Sequence, residues 1–140
     1  MKSIADLDLG YAPAYSTAID AVAHAANVLR NKIQGYVHGI NPLELKERLD
    51  GDNDFVLLDV RRVSEYDAVC FLDQRCLHIP VVDLAERAAE MPKDKEIIIF
   101  CATSIRAYNA ERTLRGLGYE DVKILDGSLA AWPFPGCLTG

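Results

Sequence analysis

The sequence predicts an α/β fold: a central parallel sheet of about five strands, flanked by helices on both faces. Three observations carry this. Between residues 36 and 132, short β-prone runs alternate with stretches of helical pattern. Phe55-Val56-Leu57-Leu58 is a continuous apolar run, as expected of a strand buried on both faces of a parallel sheet. The helical stretches also open and close on capping residues, with Asn41-Pro42 at one start and Gly116 and Gly118 past one end. A chain of 140 residues fits one domain plus an appendage.

Taken in order, residues 1–35 read as an N-terminal helical arm or linker, and 36–140 as the α/β domain. Tyr11-Ala-Pro-Ala-Tyr15 is too rich in Pro and Tyr to be regular. Asp20 to Gln34 predicts a helix with Val22, Ala26, Leu29 and Ile33 along one stripe and Gly35 as its stop. Tyr36-Val37-His38 is a candidate first strand. Asn41 at the N-cap, Pro42 at the first helical position and Glu44 two residues later open the next helix, which carries Leu43, Leu45 and Leu49 and stops at Gly51. Strands follow at Phe55–Leu58, Leu77–Ile79, Glu96–Phe100 and Val122–Leu125. Helices between them run from Asp83 to Glu90 and from Ile105 to Arg115.

Composition excludes several function classes. The formal net charge is −6, with no Lys/Arg cluster to offset it, which argues against nucleic-acid and anionic-membrane partners. The longest apolar runs, such as Ile97–Ala102, are too short to span a bilayer. Asp6 and Asp8 stand where a signal peptide would need an apolar core, so a cytoplasmic location is expected. Cys70, Cys76, Cys101 and Cys137 form no zinc-type spacing, and His24, His38 and His78 have no partner that suggests a metal. Three of the four thiols read as small packed hydrophobes. Cys70 and Cys76 leave open a resolving role toward Cys101, and Cys137 lies in a Gly/Pro-rich tail.

The stretch that carries chemistry is Ile97-Ile-Ile-Phe-Cys101-Ala-Thr-Ser-Ile-Arg106, followed at once by a helix. A buried strand delivers Cys101 to the carboxyl edge of the sheet, where open α/β folds bind their ligands. Ala102, Thr103 and Ser104 are small enough for the backbone to curl around the sulfur. The amides of such a curl, with the N-terminus of the next helix, make an anion cradle. This setting should lower the thiol pKa from about 8.5 into the range of about 3.5–7.5. Arg106 adds a fixed positive charge and a guanidinium able to brace the loop. A thiolate poised for nucleophilic work is the expected result.

The order Leu57-Leu-Asp59-Val-Arg61, Glu65-Tyr66, Cys101-Ala-Thr-Ser-Ile-Arg106 and Asp126-Gly-Ser-Leu-Ala-Ala-Trp132 resembles the rhodanese family. The likeness runs from Ile40 to Pro135. It implies that Cys101 takes a sulfane sulfur from a donor, becomes a persulfide and passes that sulfur to a thiol acceptor. It further implies that the loop of Ala102, Thr103, Ser104 and Ile105, closed by Arg106, holds the persulfide. Asp59, Arg61 and Glu65 would support it, bracing loops, capping or salt-bridging. Cysteine phosphatases use a similar cradle with five residues between Cys and Arg; this chain has four, Ala102 to Ile105, which favours a sulfur anion. Two departures stand out. Ser104 occupies a position where the family often has glycine, so a different backbone angle is expected there. Ala68–Pro80 replaces the usual Gly-His-Ile-Pro-Gly-Ala stretch, which leaves open whether His78-Ile79-Pro80 belongs to the third strand.

Residues 6–16 and the following helix resemble the end of the C-terminal dimerisation domain in coenzyme A-disulfide and persulfide reductases, some of which carry a rhodanese domain directly after it. The resemblance implies a chain that is the tail of a longer enzyme, with FAD and NADH bound in the reductase portion and no cofactor in this segment. It implies thiosulfate, polysulfide or coenzyme A persulfide as sulfur donor and a flavoprotein reductase as partner. The competing expectation is a non-catalytic module that uses the same scaffold to dock a redox or sulfur-relay partner.

Overall fold

The computed structural model describes residues 21–139, with the side chains of Ala21, Ala23 and His24 left out. The expectations for Asp6–Ser16 and for His24 lie outside the described residues. The chain divides into two units, Met1–Val37 and His38–Gly140. In the first, α1 spans Ala21–Ile33, and Gly35 turns the chain out of it at φ +71°. Leu29 and Ile33, on the predicted stripe, are exposed.

The second unit is a five-stranded, wholly parallel sheet with helices, as the sequence predicts. Its strands are β1 (Gly39–Ile40), β2 (Phe55–Asp59), β3 (Cys76–His78), β4 (Glu96–Phe100) and β5 (Val122–Leu125), in the order β1-β5-β4-β2-β3. The connecting helices are α2 (Pro42–Asp50), α3 (Val63–Ala68), α4 (Leu84–Arg87) and α5 (Ile105–Gly116). Alternation along the strands sorts the core onto two faces. Phe55, Leu57, Ile98, Phe100 and Leu125 pack with Leu45 of α2, Phe71 and Trp132. Ile97 and Ile99 turn to the other side, where α5 packs on β4 and β5 with Ala107, Ala110 and Leu114 buried. The central strands β4 and β2 pair along their full length, so Phe100, the residue before Cys101, lies beside Asp59.

The start signal at α2 works as read. The Asn41 side chain accepts from the Glu44 amide at 2.9 Å, and Pro42 occupies the first turn. Four elements differ from the sequence expectations. The first strand is at Gly39–Ile40 rather than 36–38, because the Tyr36 amide closes α1 onto the Asn31 carbonyl. The third strand is one residue earlier, so His78 belongs to it while Ile79 and Pro80 follow it. The helix expected over 83–90 is one α-turn, Leu84–Arg87, that tightens into a 3₁₀ turn at Ala88–Glu90. Helix α3, whose few residues lack a clear apolar period, has no counterpart among the sequence expectations.

The 68–80 stretch is packed into the fold. Phe71 stands edge-on to Phe100 and to Trp132, with both ring centroids 5.0 Å away, and bridges to Leu138. Arg75 pairs with Asp73 and ties down the end of α2, donating to the carbonyls of Leu49 at 2.8 Å and Asn53 at 3.0 Å. Cys137, in the Gly/Pro-rich tail, is partly buried against the aromatic cluster, and its carbonyl accepts from the Leu72 amide at 2.9 Å.

Candidate active site at the end of the fourth strand

The candidate site forms where β4 ends and its chain must turn into α5. Cys101 is 1% exposed, at the floor of the turn. Thr103 and Ile105 point their side chains outward, while Ala102 and Ser104 are half-buried. The first amides of α5 have no acceptor within their own helix, so the loop presents N–H groups together with the positive end of a three-turn helix. Free amides of this kind are what an anion cradle requires.

The loop is fixed from across the sheet edge. A 3₁₀ turn at Ser128–Ala131 follows β5, and two of its amides reach the loop: Leu129 donates to the Cys101 carbonyl at 3.2 Å and Ala130 to the Ala102 carbonyl at 3.0 Å. The turn begins at Gly127, with φ +73°, where an added Cβ would meet the Ala131 Cβ at 2.3 Å. Ser128 is fully buried. Its hydroxyl accepts from the Cys101 amide at 3.1 Å, lies 3.2 Å from the Ser104 hydroxyl and donates to the Cys101 sulfur at 3.8 Å. Ser104 has φ +76°, so it keeps the left-handed conformation that glycine favours; the change of angle expected from its side chain does not occur.

Arg106 is placed differently from the expectation that it braces the loop. Its two terminal nitrogens donate to the Glu65 carboxylate on α3, at 2.6 and 2.7 Å. The planar fork of arginine matches a carboxylate in this way. The Glu65 bond raises the proton affinity of the guanidinium, and the nearby Cys101 sulfur adds to it. Glu65 also accepts from the Arg62 amide at 3.2 Å, capping α3. The Arg106 hydrogen bond, reinforced by the Arg62 amide, holds the Glu65 carboxyl down at about 2.

Asp59 and Arg61 do not touch the thiol. They form a buried ion pair in which Arg61 Nη2 lies 2.6 Å from Asp59 Oδ2. The same guanidinium donates to the carbonyls of Glu65 at 3.2 Å and Val69 at 2.6 Å, toward opposite ends of α3. His78 Nε2 donates to the Arg61 carbonyl at 2.9 Å, and its ring stacks on Tyr66. Asp59 and Arg61 therefore position α3, α3 presents Glu65, and Glu65 holds Arg106 beside the sulfur. Cys76 is set apart from this site. Strand β2 lies between β3 and β4, and burial pushes the Cys76 thiol up to about 12, the opposite of what a resolving thiol needs.

Sequence reasoning assembled the Cys101–Arg106 loop and the Glu65 support but assigned no role to Ser128. The signal was present as the residue after Gly127 in the closing segment, yet a serine there reads as an ordinary turn residue. Only the folded chain brings it to a cysteine 27 positions earlier.

A family model described as a rhodanese-like domain matches residues 41–133. The chain belongs to the rhodanese-like domain family. A sulfurtransferase of Allochromatium vinosum is 32% identical over 96 residues, covering 69% of this chain and 88% of that protein. Among solved structures, a NAD-dependent persulfide reductase from A. fulgidus is 43% identical, with TM-score 0.75, covering 92% of this chain and 22% of its own. Reduced Bacillus anthracis CoADR-RHD is 31% identical, with TM-score 0.86, covering 99% of this chain and 24% of its own. The chain also spans 24% of the length of the first curated relatives it matches. These likenesses support a sulfur-transfer role for the rhodanese domain. Among the described residues, no helix is long and apolar enough to cross a membrane.

The Glu65–Arg106 pair has a measurable consequence. The Glu65 pKa is depressed in the folded state, so the stability it contributes is fully present above its unfolded value, near 4.5, and is lost as pH falls through about 2. Glu65→Gln is expected to flatten the acid side of the stability profile between those pH values. Urea midpoints taken across that range check it, and an unchanged slope would deny the pair its role.

Proposed function

We propose that this domain carries sulfane sulfur on Cys101 and delivers it to a thiol acceptor. The observation that carries the reading is the position of the Cys101 sulfur, at the floor of the loop, with the Arg106 charge beside it and the Ser128 hydroxyl 3.8 Å away. In the loading step, the Cys101 thiolate attacks the outer sulfur of a donor such as thiosulfate. The new S–S bond forms as the donor's S–S bond breaks, and sulfite leaves with the electron pair. The product Cys–S–S⁻ extends the side chain by about 2 Å toward the loop amides. In the unloading step, an acceptor thiolate attacks the outer sulfur. Cys101 leaves as thiolate and the acceptor leaves as its persulfide, so no net oxidation or reduction occurs.

The likenesses to a persulfide reductase and to CoADR-RHD support a further specification. Polysulfide or coenzyme A persulfide would be the donor or product, and a flavoprotein reductase carrying FAD and NADH would be the redox partner. In that arrangement the rhodanese domain needs no cofactor of its own, because both sulfur-transfer steps are electron-balanced.

The test is intact and peptide mass spectrometry after incubation with thiosulfate or polysulfide. One added sulfur on Cys101, removed by a small thiol acceptor, is the expected result. Failure to load Cys101 with any of these donors, together with a thiol that alkylates at the pH of a free cysteine, would replace this reading with a docking module on a rhodanese scaffold.

A further inference from the structure

We infer that Ser104 and Ser128 act as a coupled hydroxyl pair in which Ser104 orients Ser128 and Ser128 donates its proton to the Cys101 sulfur. The inference rests on the reading of Cys101 as the sulfur carrier and adds two residues to its machinery, one touching the reacting atom and one acting through the other.

The proton count sets the direction. A serine hydroxyl has one proton and two lone pairs. The Cys101 amide occupies one lone pair of Ser128 at 3.1 Å. The Ser104 hydroxyl is 3.2 Å away, nearer than its other acceptor, the Leu125 carbonyl at 3.5 Å. When Ser104 donates to Ser128, both lone pairs of Ser128 are filled. Its own proton then goes to the remaining neighbour, the Cys101 sulfur at 3.8 Å. A sulfur bearing negative charge favours this arrangement over the reverse one, in which Ser128 would give its proton to Ser104. Ser128 is fully buried and Cys101 nearly so, which keeps water from competing for the bond.

The backbone supplies an independent observation. Among the described residues, Ser104 and Ser128 are the two non-glycine residues with positive φ, at 76° and 52°. Glycine is the easier residue at both places. Two serines in left-handed conformations, 24 positions apart and joined through their hydroxyls, are strained where the chain meets its working sulfur. Such strain is found where a side chain is needed at that point. Among the described residues, the charged group beside the sulfur is Arg106 from α5, held by Glu65 from α3; the Asp59–Arg61 pair stands one strand away, at the end of β2 beside Phe100. Arg106 acts on the sulfur by its charge from α5 and the Asp59–Arg61 pair bonds to α3, while the serine hydroxyls bond to each other and to Cys101 from the β5 side, so the pair acts in addition to them.

The experiment follows the rate of Cys101 alkylation against pH, resolved from the other cysteines by peptide mass spectrometry, in the full chain. It compares the parent with Ser128→Gly, Ser104→Gly and the double variant; glycine suits both backbones, and because Ser128→Gly also removes the acceptor of the Cys101 amide, a urea unfolding curve for each variant ensures that midpoints are compared among folded chains. Ser128→Gly is expected to raise the pH midpoint by about one unit and to slow persulfide transfer about tenfold. Ser104→Gly should shift the midpoint in the same direction, and the double variant should go no further than Ser128→Gly alone. An unchanged midpoint in Ser128→Gly, an unaffected Ser104→Gly, or additive shifts would each overturn the coupled pair. If the parent chain forms no persulfide, it is the sulfur-carrier reading that fails, whatever the variants show.

Discussion

Cys101→Ser should abolish sulfur transfer, lowering the rate by at least about a thousandfold, because the hydroxyl that replaces the thiol is a poor nucleophile and cannot hold a sulfane sulfur. The change is close to isosteric, and the 1% exposed site accepts it without a cavity. Ser128 and Leu129 hold the backbone of residue 101 by its amide and its carbonyl, and both contacts survive the substitution. Stability should therefore stay near that of the parent while transfer disappears. A thiosulfate-to-thiol transfer assay alongside a urea unfolding curve separates the two effects. Retained transfer would move the chemistry to another cysteine, and burial leaves Cys76 with a thiol that does not ionise near neutral pH.

Asp59→Ala should be the most damaging change to the fold, costing about 3–5 kcal/mol, because it leaves the Arg61 guanidinium buried without its counter-charge. Arg61 has its Nε and Nη2 on that carboxylate and its remaining bonds on two carbonyls of α3 and its C-terminal cap. Loss of the anchor should loosen α3 and, through Glu65, Arg106. Asp59→Asn keeps hydrogen-bond acceptance without the charge and should be milder. Urea midpoints rank the variants, and transfer assays under conditions where both are folded test the positioning role. A folded Asp59→Asn of unchanged stability that had lost all transfer would place Asp59 in the chemistry instead.

Both outcomes depend on contacts of different range, and that range decided what could be read in advance. The apolar runs of β2 and β4, the Asn41 cap of α2 and the Cys101-to-Arg106 spacing are local patterns, each complete within a few residues. The extent of β1 depended on where α1 closed, at Tyr36. The shortness of α4 and the existence of α3 had no periodic signal strong enough to mark them. The family resemblance marks Glu65 as a support, but its partner Arg106 is 41 positions away in sequence and no local pattern joins the two.

By itself, then, the sequence determined a parallel α/β domain and the loop on which the proposed sulfur carrier sits, since strand burial and a small-residue turn are encoded where they occur. The tertiary structure alone decided what surrounds the sulfur. Parallel pairing brings the ends of β2, β4 and β5 to one edge, and there Glu65, Arg106 and Ser128 meet across gaps that no sequence period spans.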